Sequence, residues 1–252
     1  MKKHIYKIIA VVAGVAAVAC AAVGGYKYYQ EKHAGDDYEE VRETVKKEVE
    51  PVAEEKAPVA IPIDFAALQE QNPEVYAWIQ IQDTNIDYPI LQREGDNGYY
   101  LNHTIDGEQK TEGSIFTEDY NSKDFEDPNT VIYGHDMKNG SMFQNLLNYQ
   151  DKDFFDNHKD VIIYTPDVIR HYKVFAAYLY DDRHLIQSFD FNIKSVYQAY
   201  LDSIFAIRDM SAQIDTTQQV SVDDKIITLS TCYGSQSDKR FLVQAVLVSI
   251  EK

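Results

Sequence analysis

Apolar and polar positions change rhythm three times along this chain. Residues 8–25 are uncharged and mostly Ala and Val, and as a helix they span about 27 Å at 1.5 Å per residue, close to a bilayer core. Residues 31–60 are dominated by charge, with Val41, Val45 and Val49 recurring at helical spacing; the segment reads as a solvated stalk carrying no chemistry. A helix is expected over 63–71, where Asp64 supplies an N-cap, Phe65 and Leu68 an apolar face, and Asn72-Pro73 a stop. A second short helix is expected over 74–78. Beyond it the period drops to two, and 79–81, 86–88, 130–133, 161–164, 172–179, 225–229 and 241–250 alternate as strands do. Turn signals such as Asp96-Asn97-Gly98, Asp106-Gly107 and Lys138-Asn139-Gly140 separate them, so the pattern predicts a barrel or sandwich rather than a βαβ sheet. Two helical interruptions are expected, at 141–149 and 195–208. The second puts Tyr197, Tyr200, Leu201, Ile204 and Phe205 on one core-facing stripe.

Charge changes this picture at the N-terminus. The 252 residues carry 24 basic and 41 acidic side chains, a net of −17, which excludes a nucleic-acid binder needing a basic face. Lys2, Lys3 and Lys7 nevertheless precede the apolar run and Lys27 follows it. That bias places the N-terminus in the cytoplasm and the chain from Tyr29 onward outside the cell, with Tyr6, Tyr26, Tyr28 and Tyr29 in the two interfaces. A cleaved signal peptide ending at Ala17-Val18-Ala19, or a lipoprotein signal using Cys20, are the alternatives. The run is long for a signal core, Ala17 is a poor lipobox start, and all three readings export the domain. The expected division is a cytoplasmic tip and transmembrane anchor at 1–29, an extracellular stalk at 30–61 and a catalytic domain at 62–252.

Cys20 and Cys232 are the only cysteines, too few for a disulfide framework or a thiolate zinc site. Cys20 falls in the apolar run. Cys232 ends the strand pattern Lys225-Ile-Ile-Thr-Leu-Ser-Thr-Cys232 and opens a turn-rich loop, the position from which strands deliver functional side chains. Nucleophile and inert buried thiol both remain open on that ground. If the next strand pairs antiparallel with this one, Arg240 faces Cys232, where a cation favours the thiolate and steadies an oxyanion; a surface arginine paired with Asp238 is the other reading. An acyl-transferring cysteine also needs a proton donor, normally histidine. His4 and His33 lie outside the domain, His158, His171 and His184 read as surface residues, and His103 has no assignment. His135 ends a strand in Tyr133-Gly134-His135.

Taken together, Thr228-Leu-Ser-Thr-Cys232, Asn129-Thr-Val-Ile-Tyr-Gly-His135-Asp-Met-Lys-Asn-Gly-Ser-Met-Phe143 and Arg240-Phe-Leu-Val resemble the sortase family, specifically class B. Trp78-Ile with Ile86-Asp-Tyr-Pro89, Asp96-Asn97 with Tyr100-Leu101, and Gly113-Ser-Ile-Phe116 follow in the order that family shows. The resemblance covers roughly residues 64–250. It implies a mainly β fold, a closed eight-stranded barrel with N-terminal helices and one inserted helix before the cysteine strand. It also implies a cysteine transpeptidase of Gram-positive cell-wall sorting, with Cys232 as nucleophile, His135 as general acid/base and Arg240 as oxyanion-stabilising cation. Asn97, Leu101, Tyr133 and Ser230 match positions lining the sorting-signal groove. The implied partners are surface proteins bearing a C-terminal sorting signal, and a lipid-linked peptidoglycan precursor or a pilin amine as acceptor. No cofactor or metal is expected. An L,D-transpeptidase-like enzyme lacks support, since its Ser-x-Gly-Cys signature is absent; a membrane-tethered binding module with an inert Cys232 is the rival outside enzymes.

Overall fold

The computed structural model describes residues 2–47, 59–234 and 236–252, with side chains described from residue 16 onward and 237 excepted. Its helices are α1 (Lys2–His33), α2 (Asp36–Val45), α3 (Phe65–Gln71), α4 (Lys152–Asn157), α5 (Leu185–Ser188) and α6 (Lys194–Phe205). Its strands are β1 (Val75–Gln80), β2 (Asp87–Leu91), β3 (Ile115–Thr117), β4 (Asn129–Tyr133), β5 (Asp160–Thr165), β6 (Val168–Asp181), β7 (Gln213–Ile214), β8 (Ile226–Tyr233) and β9 (Gln236–Glu251). They pair in the order β5-β1-β2-β3-β4-β8-β9-β6, and β6 returns to β5, so eight strands close a barrel and no edge of it is left open. The two-residue β7 continues one side of β6 at Ala176 and Ala177.

Inward-facing side chains such as Ile79, Ile90, Ile115, Ile132, Leu229, Val243 and Ala245 fill the principal core. A second apolar layer lies against β6, β8 and β9. Phe175, Tyr178, Leu242 and Val246 pack there against Tyr197, Tyr200, Leu201 and Ile204 of α6. The stripe expected for 195–208 is thus the face that α6 buries.

Asp64 caps α3 as expected, accepting from the Ala67 amide at 3.2 Å. The helix expected over 74–78 is instead β1. Val75–Gln80 is almost wholly buried and pairs with both β2 and β5, so two ladders outweigh a local preference that a five-residue segment expresses only weakly. The helical interruption at 141–149 is a 3₁₀ turn, Gln144–Gln150, whose Leu146 and Tyr149 are buried three residues apart.

Nor is the charged segment wholly a solvated stalk. Tyr38, Val41 and Val45 of α2 are buried against the domain. The Tyr38 hydroxyl lies 2.8 Å from both the Gly113 carbonyl, to which it donates, and Ser114 Oγ. Gly35 turns the chain between α1 and α2 with φ of 86°, and a Cβ there would stand 2.8 Å from Ser141 Cβ, so only glycine fits. Val49 lies outside the described residues. Among the described residues no helix is long and apolar enough to cross a membrane; the side chains of 8–15, the first part of the proposed anchor, lie outside them.

Candidate active site

The site follows from strand register. Side chains directly opposite each other on paired strands share a face, as do residues two apart on one strand. Tyr180 on β6 pairs with Arg240 on β9, and Arg240 pairs with Cys232 on β8, which gives one row. The next row runs Tyr178, Leu242, Ser230, Tyr133 and Phe116, from β6 through β9, β8 and β4 to β3. Where α6 covers the outer face these rows are core; where that cover stops they floor a cleft of about 220 Å³. Its lining includes Asn97, Leu101, Tyr133, His135, Ser230, Cys232 and Arg240. All seven residues singled out from the sequence therefore meet in one place.

The approach of His135 depends on the residue before it. Gly134 donates its amide to the Ser230 carbonyl at 3.1 Å, which carries the β4–β8 pairing one residue further. His135 Nε2 donates to the Leu101 carbonyl at 2.6 Å, and the His135 carbonyl accepts from the Phe143 amide at 2.9 Å. A carbonyl acceptor on Nε2 fixes the ring and its tautomer, while among the described residues no hydrogen bond engages Nδ1, which is left for proton exchange. The adjacent Asp136 accepts from the Gly234 amide at 3.1 Å, tying the loop after His135 to the loop after Cys232. Burial pushes the Asp136 carboxyl up, and that bond only partly offsets it.

Cys232 is half-buried. A thiol in this setting is accessible to substrate yet flanked by a fixed cation. The Arg240 guanidinium also donates from Nη1 to the Lys239 carbonyl at 3.0 Å. Asn97 exchanges two bonds with Asp119: its Nδ2 donates to Oδ1, and its Oδ1 accepts from the Asp119 amide, both at 2.7 Å. Its amide therefore braces the cleft wall as well as facing the cleft. Leu101 is half exposed at the rim.

Sequence reasoning missed the far end of the cleft. Glu118, Tyr180, Asp182, Arg183 and His184 line it too. His184, read as a surface residue, donates from Nε2 to Glu118 Oε2 at 2.6 Å, and the Tyr133 hydroxyl reaches the same oxygen at 3.2 Å. Burial, then the Glu118 charge, pushes the Tyr133 phenol well above its ordinary range. A polar neighbourhood in sequence hid His184, because its carboxylate partner stands 66 residues away.

A thiol facing an arginine across an antiparallel ladder, with a histidine at the next strand end, defines a cysteine-dependent acyl-transfer enzyme built on a closed barrel. A family model for the sortase domain matches residues 79–248. The sortase B of Listeria monocytogenes is 36% identical over 190 residues, covering 72% of this chain and 73% of that protein. Among solved structures, a sortase B from B. anthracis superposes with a TM-score of 0.70 at 31% identity, covering 89% of this chain and 99% of that one. A Staphylococcus aureus sortase B–substrate complex gives 0.65 at 30% identity, covering 74% and 85%. The chain belongs to the sortase family, within its class B. Its activity is that of a cysteine transpeptidase.

Proposed function

We propose that the chain cleaves a C-terminal sorting motif after its Thr and transfers the protein so released to an amine of the cell-wall precursor or of a pilin. The observation that carries this reading is the register that seats Arg240 opposite Cys232 in the cleft that His135 enters. The Cys232 sulfur attacks the Thr carbonyl, and the oxygen takes up the negative charge beside the Arg240 guanidinium. Collapse breaks the carbon–nitrogen bond while His135 delivers a proton to the departing amine. The thioester on Cys232 then accepts the nucleophilic amine, whose proton passes to His135 as the thiolate leaves. That a Staphylococcus aureus sortase B of the same fold forms a complex with its substrate supports this reading. Asn97, Leu101, Tyr133 and Ser230 are its proposed contacts.

Residues 8–25 are proposed as a membrane anchor with the N-terminus in the cytoplasm and the barrel outside the cell. The uncharged run and the lysines before it support that placement. Tethering suits the chemistry, since an exported protein and a lipid-linked acceptor both lie at the membrane face.

The test is intact-mass measurement of the full chain in detergent after exposure to LPxTG-, NPxTN- and PPxTG-type peptides. The expected result is a mass increase equal to the peptide up to Thr, absent in Cys232→Ala. His135→Ala and Arg240→Ala should each lower kcat/KM by about 10³-fold. Near-wild-type turnover in His135→Ala would remove its acid/base role.

A further inference from the structure

Glu118 stands immediately after β3, and its side chain is only 14% exposed although it lines the cleft. Both donors that reach it, His184 Nε2 and the Tyr133 hydroxyl, go to Oε2. Among the described residues no hydrogen bond engages Oε1. His184 is committed on its other side as well: Nδ1 accepts from the Gln187 amide at 3.3 Å, where it caps α5. The Gln187 bond uses Nδ1 as an acceptor and leaves the Nε2 proton for Glu118. The nearby guanidinium of Arg183 is engaged by Asp181 at 2.8 and 2.9 Å. Among the described residues Glu118 thus takes its two hydrogen bonds on Oε2 and keeps Oε1 open toward a cleft built for a peptide. A carboxylate accepts only.

Distance along the sheet places this oxygen relative to the chemistry. The β3–β4 register, Phe116 with Tyr133 and Thr117 with Ile132, carried one step further sets Glu118 opposite Val131, whose β8 partner is Thr228. Thr228 is four residues before Cys232 and two strand spacings from β3, so Glu118 lies about 16 Å from Cys232 on a flat sheet. An extended peptide covers that in roughly three to five residues. A Glu side chain shortens the gap further.

We propose that Glu118 is a specificity-determining residue, oriented by His184 and Tyr133, that receives an N–H donor side chain, a carboxamide or a cation, carried by the sorting motif upstream of its Thr. The proposal rests on the sorting reading above. A hydrogen bond to a charged acceptor discriminates by about 10-fold or more against a side chain that cannot make it. An acidic side chain at that place meets like charge and is disfavoured further.

The experiment measures thioacyl formation by the full chain in detergent, using peptides varied in turn at the third, fourth and fifth residues before Thr. Each position carries Asn, Lys, Leu or Asp. At one position the wild type should acylate with Asn or Lys at least about 10-fold faster in kcat/KM than with Leu, and slowest with Asp. Asn ahead of Lys assigns a carboxamide, and the reverse order a cation. Glu118→Gln should collapse the ranking to within about 3-fold and raise the Asp peptide; Glu118→Asp, which keeps the charge, should keep the ranking at lower rates. A part that only pins α5 to the barrel would slow every peptide alike and leave the ranking unchanged. Equal rates across the wild-type panel, or an unchanged ranking in Glu118→Gln, overturn the role of Glu118 alone. No adduct with any peptide overturns the sorting reading and this one with it. Should Glu118→Gln not fold, the wild-type ranking and Glu118→Asp still decide.

Discussion

A Cβ at position 134 would stand 2.5 Å from Ile115 Cδ1 and 2.7 Å from Phe143 Cγ. Only hydrogen fits between those side chains, and the same residue carries the amide that holds the end of β4 to Ser230. Gly134→Ala should therefore cost roughly 1–3 kcal/mol of stability by overpacking. It should also move His135 enough to lower kcat/KM by about 10²-fold. Urea unfolding reads the first effect and peptide acylation the second; unaltered kinetics in a destabilised variant would separate the glycine from the histidine's placement. Cys232 and His135 were legible in the sequence because each lies at or just beyond the end of a strand pattern, and Arg240 because antiparallel pairing would set it opposite Cys232, as the register does. Glu118 and His184 were not, since neither neighbourhood shows that a partner faces it across the cleft.

Elements are held by contacts their own sequences do not announce. Lys159, just before β5, donates to Asp215, just after β7, at 2.8 Å, and its ammonium sits 3.7 Å from the Phe155 ring centroid. Burial raises the Asp215 carboxyl, but the Lys159 ammonium and the Thr217 hydroxyl outweigh it and bring it down to about 2. A carboxyl held below its ordinary value stabilises the fold above that ordinary value and loses the effect as pH falls through about 2. Thr217 keeps part of that effect, so Lys159→Met should cost about 1 kcal/mol at pH 7. The difference from wild type should shrink as pH falls from about 4 to about 2, followed by urea titration. A difference undiminished at the acid end would discount the ion pair. The alternation of β4, β8 and β9 could be read directly, whereas β1 could not. Val75–Gln80 is buried almost throughout, and without a polar face its pattern does not separate strand from helix.

For the whole molecule, α2 belongs with the barrel. The Tyr38 ring meets Tyr88 edge-on with centroids 5.5 Å apart, the Arg42 guanidinium lies 5.0 Å from the Tyr88 centroid, and Lys110 bonds Asp37. Removing residues 1–47 exposes the surface that Tyr38, Val41 and Val45 cover, and Tm should fall by roughly 5–10 °C. Thermal unfolding of the full chain and the shortened one, in the same detergent, reads this directly. Equal Tm values would make α2 a passenger. The charge of 31–60 disguised this contact, because its few apolar residues at helical spacing match a solvated helix as well as a docked one.

The chain's own order of residues determined where most strands run, where α3 begins and which thiol and imidazole stand at or just past strand ends. These are local properties, set by the two-residue alternation of a strand and by caps and turns within a few positions. Closure of β6 onto β5, parallel pairing of β4 with β8, and the point where α6 stops covering the outer face belong to the tertiary structure alone. So does the meeting of Glu118 with His184. Register between strands far apart in sequence is chosen by which faces can be buried together, and that choice turned an alternating pattern into a cleft with chemistry at both ends.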